Sequence, residues 1–106
     1  MKQYEIVLVN LDPTLGVEMK KTRPCVIISP DEMNKHLRTV VIAPMTTKSR
    51  KYPTRIEVKH DNQIGWVVID QIRTINKKRI IKSLGRLSRP EIKEVKAVID
   101  ETFVKE

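Results

Sequence analysis

Short apolar runs rich in Val and Ile recur along the chain, and they restrict the fold more than any other feature. They span residues 5–10, 24–29, 39–44, 55–58 and 65–75. Runs of β-branched residues bounded by Pro, Gly, Asn and Asp predict strands. The run RIEV (55–58) alternates and predicts a half-exposed strand, whereas CVII (25–28) and VVIA (40–43) predict strands buried on both faces. Several such strands without intervening helices predict a mainly β fold, an antiparallel barrel or sandwich.

The connections between these runs have clear turn chemistry. Residues 12–16 (DPTLG) predict a turn, because Pro presets one backbone dihedral and Gly accepts a positive one. Residues 29–34 predict a second turn, with room for a helical turn capped by Ser29 and ended near Asn34. Residues 47–53 form a polar, strongly basic loop, and residues 60–65 predict a hairpin-type connection.

A helix is predicted at the C-terminal end, over residues 89–104. Ser88-Arg89-Pro90-Glu91 is a capping box, in which the Ser hydroxyl and the Glu carboxylate each bind the other residue's backbone N–H. Apolar residues then share one helical face: Ile92, Val95, Ile99 and Phe103, with Val98 beside them. The mixed segment 76–87 leaves a short strand and a helical turn open. One domain over 1–106 is predicted, since no linker or repeat interrupts the chain.

Charge and composition narrow the functional classes. The formal net charge is +8 with a pI near 9.8, which favours a polyanionic partner because each contacted phosphate releases counterions. No apolar run is long enough for a signal peptide or a membrane span, which predicts a cytoplasmic protein. The lone Cys25 predicts a small buried hydrophobe, and His36 and His60 lack metal-ligand spacing and are predicted to be surface or loop residues.

Polar clusters stand at or near the ends of three predicted strands, at 18–23, 45–50 and 70–74. Their arginines, lysines and threonines suit a phosphate backbone. RNA supplies its own nucleophile, the 2′-hydroxyl, so a cleavage site needs positioning, charge stabilisation and proton transfer. No general base is evident, because Arg, with a pKa above about 12, is a poor one. Alternatives stay open: Arg23 in an ion pair with Glu18 or Asp70, Thr46 as a turn residue, and Asp70 binding backbone N–H groups.

Four motifs in order resemble the MazF/PemK (Kid) toxin family over about residues 5–104. They are Asp-Pro-Thr-x-Gly-x-Glu (12–18), Lys-Thr-Arg-Pro (21–24), Pro-x-Thr-Thr (44–47) and Asp-Gln-Ile-Arg-Thr (70–74). The resemblance implies a small SH3-like β-barrel (CcdB/MazF/Kid-type) with a C-terminal helix, acting as a homodimer. It implies a type II toxin that cleaves single-stranded RNA sequence-specifically, without metal or other cofactor. It further implies 2′,3′-cyclic phosphate and 5′-hydroxyl products, and an acidic MazE-like antitoxin whose disordered tail blocks the RNA groove.

The resemblance also assigns residues. The family's catalytic arginine and threonine fall on Arg23 and Thr46, and Glu18 matches an acidic residue implicated in activity in some members. We read Arg23 mainly as a stabiliser of the phosphorane. The strand-end clusters and the resemblance together give these expected RNA contacts: Lys20, Lys21, Thr22, Thr47, Lys48, Ser49, Arg50, Tyr52, Asp70 and Gln71.

Two departures from the Kid branch favour the Arg/Thr pair over a His/Arg/Asp scheme. Val17 stands where that branch has a proposed histidine, and Val68 where it has a second arginine. Asp70, which matches that branch's catalytic aspartate, is therefore predicted to have a supporting or structural role.

Two rival functions remain at the sequence level. A non-catalytic toxin of the same fold, a CcdB-like gyrase inhibitor, is disfavoured because the chain ends Thr-Phe-Val-Lys-Glu instead of Trp-Gly-Ile. An SH3-like RNA-binding module without cleavage is disfavoured by the few aromatic residues, since base-stacking platforms usually need several. Only Tyr52 lies in a basic loop, where it could stack on a base.

Overall fold

The computed structural model describes residues 1–11 and 21–106, and it is mainly antiparallel β structure. The strands of this part are β1 (Glu5–Asn10), β2 (Thr22–Ile27), β3 (Thr39–Thr46), β4 (Arg55–His60), β5 (Gln63–Val68), β6 (Arg73–Asn76) and β7 (Ile80–Arg86). The helices are α1 (Asp31–His36) and α2 (Arg89–Ile99), with 3₁₀ turns at Ile69–Gln71 and Lys77–Arg79 and a π-helical turn at Asp100–Val104.

The strands form one curled, half-barrel sheet in the order β4-β5-β3-β2-β1-β7. β3 is long enough to serve several partners, because its first half pairs with β6 and its last two residues pair with β5. The two outer strands approach each other: a Cβ on Gly85 of β7 would lie 3.3 Å from Cε1 of His60 at the end of β4. The mainly β barrel-like architecture with a C-terminal helix, predicted from the sequence, is confirmed.

The central strands are buried on both faces, as their unbroken apolar runs predict. Cys25 and Ile27 belong to one apolar cluster with Val40 and Ile42, whereas Val26 belongs to a second cluster. That second cluster lies against α2 and includes Val95 of the helix. β4 alternates buried and exposed residues as RIEV predicts. A sheet buried on two faces holds the loops at its edges in place.

Helix α2 begins with the predicted capping box. The Glu91 N–H donates to the Ser88 hydroxyl at 3.3 Å, and the Ser88 N–H donates to Oε1 of Glu91 at 2.9 Å. The other carboxylate oxygen of Glu91 accepts from the backbone N–H of Lys59 at 2.9 Å, so the helix start also covers an otherwise unpaired edge of β4. Within the described residues, no helix is both long and apolar enough to cross a membrane.

Several sequence expectations need correction. The run 65–75 is not one strand, because the 3₁₀ turn Ile69–Gln71 divides it into the end of β5 and β6. Residues 76–87, for which the sequence left a short strand and a helical turn open, contain both, the 3₁₀ turn Lys77–Arg79 and the strand β7. Helix α1 extends past Asn34 and is capped at Pro30 without a side-chain bond, while the Ser29 hydroxyl instead donates to Oδ1 of Asn34 at 2.5 Å. Phe103 is 58 % exposed and lies outside the core, and the turn predicted at 12–16 lies outside the described residues.

Candidate active site

A groove of about 230 Å³ opens where β2 begins and β3 ends. The β2–β3 register pairs Cys25 with Pro44, and the same register continued by two residues sets Arg23 opposite Thr46. The groove lining comes from three segments: Thr22, Arg23 and Pro24 of β2; Met45, Thr46 and Thr47 at the end of β3; and His60, Gln63 and Gly65 of the β4–β5 hairpin. The pairing of antiparallel strands thus brings together an arginine and a threonine that are 23 positions apart in the chain.

Arg23 is exposed at the mouth of this groove. Among residues 1–11 and 21–106 it has no ion pair, and the pairing with Asp70 that the sequence left open does not occur, because Asp70 binds other residues. The alternative partner Glu18 lies outside the described residues. The next inward-facing residue, Cys25, is fully buried, and burial raises the pKa of its thiol to about 12 although Arg23 and Arg73 lower it. Cys25 is thus the buried hydrophobe that was predicted.

Thr46 is half-buried, and its hydroxyl organises the start of the basic loop. The hydroxyl accepts from the Lys48 N–H at 3.2 Å and donates to the Lys48 carbonyl oxygen at 3.3 Å. This local turn holds the side chain at the end of β3. A hydroxyl has two lone pairs and one proton, so one lone pair remains and can accept from one further donor in the groove.

A second polar cluster surrounds Asp70, on the 3₁₀ turn after β5. Its carboxylate accepts from the Thr54 hydroxyl at 2.8 Å and from Nε of Arg55 at 3.4 Å. The Arg55 guanidinium also donates to the Ser49 hydroxyl at 3.1 Å and lies 5.0 Å from the Tyr52 ring centroid. Burial alone would raise the pKa of Asp70, but the Thr54 and Arg55 bonds outweigh it and lower the pKa. The cluster ties the 47–54 loop to the β5–β6 turn.

The structure therefore divides the predicted site residues between the groove, the cluster around Arg55 and the surface outside both. The groove brings together Thr22, Arg23, Thr46 and Thr47. The cluster around Arg55 takes Ser49, Tyr52 and Asp70. Four more predicted residues are exposed and belong neither to the groove nor to the Arg55 cluster: Lys21, Lys48, Arg50 and Gln71. Glu18 and Lys20 lie outside the described residues.

The sequence analysis missed two polar residues that line the groove, and it missed the arginine at the centre of the second cluster. His60 was expected to be a surface or loop residue, yet it lines the groove together with Gln63. The hairpin signal at 60–65 was present in the sequence, but its position over the start of β2 depends on the strand order. Arg55 was read only as part of a half-exposed strand, although an arginine next to a basic loop needs an acidic partner, and Asp70 provides it.

Comparisons with known proteins agree on one family. A family model described as a PemK-like, MazF-like toxin of type II toxin–antitoxin systems matches residues 2–103. Among curated proteins, the chain is similar to the Endoribonuclease MazF of Staphylococcus saprophyticus, at 34 % identity over 106 residues, 94 % of this chain and 88 % of that protein.

Solved structures give the same answer for the fold. The toxin MazF-mt6 of Mycobacterium tuberculosis superposes with a TM-score of 0.80 at 26 % identity, covering 96 % of this chain and 98 % of that chain. A MazE–MazF structure from Deinococcus radiodurans superposes with a TM-score of 0.81 at 18 % identity, covering 100 % of this chain and 97 % of that chain.

Proposed function

The chain belongs to the PemK-like, MazF-like toxins of type II toxin–antitoxin systems, and from this premise we propose that it is an endoribonuclease toxin that cleaves single-stranded RNA. The attacking group is the RNA's own 2′-hydroxyl. The products are a 2′,3′-cyclic phosphate and a free 5′-hydroxyl, and the reaction needs no metal ion. Cleavage is specific for a short sequence and depletes messenger RNA in the cytoplasm, which stops growth.

The observation that carries this proposal is the shared groove of Arg23 and Thr46. A guanidinium without an ion partner among the described residues is free to bind a phosphate through two parallel N–H bonds. In the transition state the phosphorane gains negative charge, and a fixed cation beside it stabilises that charge more than it stabilises the ground state. We assign the Thr46 hydroxyl, opposite Arg23, to a second oxygen of the same phosphate, which it can bind once its proton turns away from the Lys48 carbonyl oxygen.

The approach to the groove is basic, which suits a nucleic acid strand. Lys21 precedes β2, and Lys48 and Arg50 follow β3, and all three side chains are exposed. Cations near a strand end raise the local concentration of a polyanion and make binding dependent on salt. We assign these side chains to the RNA backbone and Thr22 and Thr47 to the nucleotide nearest the cleaved bond.

Two partners complete the proposal. A small acidic antitoxin, whose tail competes with RNA for the groove, suits a protein of net charge +8. The similar structure from Deinococcus radiodurans is of MazE with MazF. A second copy of the chain is the other partner, and several large apolar side chains are available for such a contact because they are exposed, among them Ile64, Ile81 and Phe103.

The decisive experiment uses a long single-stranded RNA with the purified protein in excess EDTA. We expect discrete fragments, whose 5′ ends accept phosphate from a polynucleotide kinase and whose 3′ ends resist ligation to a 5′-phosphate until the cyclic phosphate is removed to leave a 3′-hydroxyl. A second RNA, matched but with a single 2′-deoxy nucleotide at a mapped cleavage position, should stay intact at that position only. This control tests the nucleophile directly.

Other results would contradict the proposal. Cleavage that needs added Mg²⁺, or that continues at the 2′-deoxy position, would mean that water and not the 2′-hydroxyl attacks. Binding of several unrelated transcripts without any shortening would favour an RNA-binding module of the same fold.

A further inference from the structure

We propose that His60 accepts the proton of the attacking 2′-hydroxyl, an inference that rests on the proposed function. RNA cleavage by this route needs a proton acceptor, and neither Arg23 nor Thr46 is suited to it at neutral pH. Among the described residues that line the groove, His60 is the one whose side chain type titrates near neutrality. Histidine is also the most frequent general base in enzymes.

A rigid turn fixes the position of His60. The residue ends β4 and pairs with Gln63, the first residue of β5, across a two-residue loop. The loop residues Asp61 and Asn62 have φ angles of 50° and 61°, the left-handed pair that defines a tight hairpin turn matched to strand twist. Both members of the closing pair, His60 and Gln63, line the groove with Arg23 and Thr46.

The ring itself is held by packing and retains free hydrogen-bonding capacity. Gly85 of β7 leaves just enough room, since a Cβ there would lie 3.3 Å from Cε1 of His60. The side chain is 24 % exposed, and its buried Nε2 has no hydrogen-bond partner within the described residues, although Oδ2 of Asp61 lies 3.5 Å away. A buried ring nitrogen without a hydrogen-bond partner is uncommon in a folded protein, and a substrate group that enters the groove would supply the missing partner.

The charges around His60 suit proton uptake. Asp61 faces the ring from the turn, and Glu91 interacts with it from the start of α2, while Arg23 is the opposing charge in the groove. Burial would raise the pKa of Glu91, but bonds from Ser88 and Lys59 and the charge of His60 lower it, so this carboxylate stays ionised. Two carboxylates therefore stabilise the imidazolium that forms when the ring takes a proton.

The step balances in atoms and electrons. The 2′-hydroxyl proton moves to the neutral imidazole of His60, and the 2′ oxygen forms a bond to phosphorus. The bond between phosphorus and the 5′ oxygen breaks, and the leaving oxygen takes a proton from water. The hydroxide that remains takes the proton from the imidazolium, which restores the neutral ring. Arg23 stabilises the charge on the non-bridging oxygens throughout.

The test is the pH dependence of kcat/KM for the wild type and for His60→Gln, with His36→Gln as the matched control. His36 is the other histidine, 68 % exposed on α1 and paired with Glu32 at 3.2 Å. We expect the wild type and His36→Gln to gain activity about tenfold per pH unit at acidic pH and then to level off. His60→Gln should lose about 100-fold at neutral pH and lose this acidic limb.

A second substrate separates proton uptake from proton donation. An RNA with a 5′-bridging sulfur at the cleaved bond has a leaving group that needs no proton. We expect His60→Gln to remain slow on this substrate. Recovery to the wild-type rate would overturn the inference, since it would make His60 the donor to the leaving group.

The remaining outcomes are also distinct. Cleavage by His60→Gln with the wild-type rate and pH profile would overturn the role of His60 and leave the proposed function intact. A wild-type pH profile without an acidic limb would also overturn the role of His60 and leave the proposed function intact. This measurement uses the wild type alone, so it does not depend on whether a variant folds. Failure of the wild type to cleave any RNA would refute the proposed function, and this inference with it.

Discussion

Two arginines stand at the beginnings of two strands and meet opposite surroundings. Arg55 begins β4, and its guanidinium binds the Asp70 carboxylate and the Ser49 hydroxyl and lies over the Tyr52 ring. Arg23 is the second residue of β2, and among the described residues no carboxylate, hydroxyl or ring makes such a contact with it. The two side chains are chemically identical, but only the guanidinium of Arg55 has partners within the described residues.

The difference indicates which of the two arginine charges stabilises the fold and which is available to a ligand. A guanidinium whose partners are all supplied by the protein stabilises a loop and has little affinity left for a ligand. One that lies in a groove without such partners keeps its charge and donors for an anion. The comparison therefore predicts that the two arginines respond to mutation in opposite ways.

The largest expected effect is the loss of cleavage in Arg23→Ala. Removing a transition-state charge partner should lower kcat/KM at least about 100-fold, while the free energy of unfolding changes by less than about 0.5 kcal/mol, as for exposed sites in general. Arg23→Lys should recover part of the activity, because it restores the charge but not the bidentate geometry. Single-turnover cleavage and urea unfolding of each variant measure the two quantities.

The matched variant is Arg55→Ala. It should lose about 1–2 kcal/mol of stability, since Asp70 and Ser49 lose their common partner, and its kcat/KM should stay within about threefold of the wild type. If Arg55→Ala were the inactive variant and Arg23→Ala the unstable one, the assignment of the two roles would be reversed.

Two threonines extend the same comparison with a smaller effect. Thr46→Val removes the hydroxyl in the groove and should lower kcat/KM about tenfold, the equivalent of one neutral hydrogen bond. Thr54→Val removes the hydroxyl that donates to Asp70 at 2.8 Å, so it should cost about 1 kcal/mol of stability and leave cleavage unchanged. Thr46→Ser keeps the hydroxyl, and a rate as low as that of Thr46→Val would assign the effect to shape.

Much of this arrangement was predictable because it depends on local signals. The β-branched runs identified most strands, the capping box located the start of α2, and ordered motifs placed Arg23 and Thr46. Strand pairing then brought these two residues into one groove. A resemblance that spans nearly the whole chain supplied the fold, and the comparisons confirmed it.

The parts that were missed depend on contacts distant in sequence. His60 lines the groove because β5 pairs with the end of β3, a strand order that no short stretch of the chain encodes. Likewise, Tyr52 and Asp70 were expected to meet RNA, and only the pairing of Asp70 with Arg55 shows that both have a structural partner. The Asp70 turn also divides a run that reads as one continuous strand.

The Arg55 cluster should give stability a specific pH dependence. The pKa of Asp70 is lowered in the folded state, so its contribution to stability is present above its ordinary value of 3.8 and is lost as pH falls through the lower folded value. Asp70→Asn should therefore be less stable than the wild type at pH 7, and the gap should narrow below about pH 3.8. Urea unfolding of both proteins at pH 7 and pH 3 measures the gap, and a gap of constant size would contradict the assignment.

The smallest effect is expected for Tyr52→Leu, which asks whether the ring serves Arg55 or RNA. The ring lies 5.0 Å from the Arg55 guanidinium and is 47 % exposed. An exposed contact of this kind contributes about 0.5–1 kcal/mol, so we expect a loss of that size in the free energy of unfolding. A base stacked on the ring would contribute about 1–3 kcal/mol to RNA binding. A KM raised about tenfold or more, with stability unchanged, would therefore show that the ring leaves Arg55 to stack on RNA.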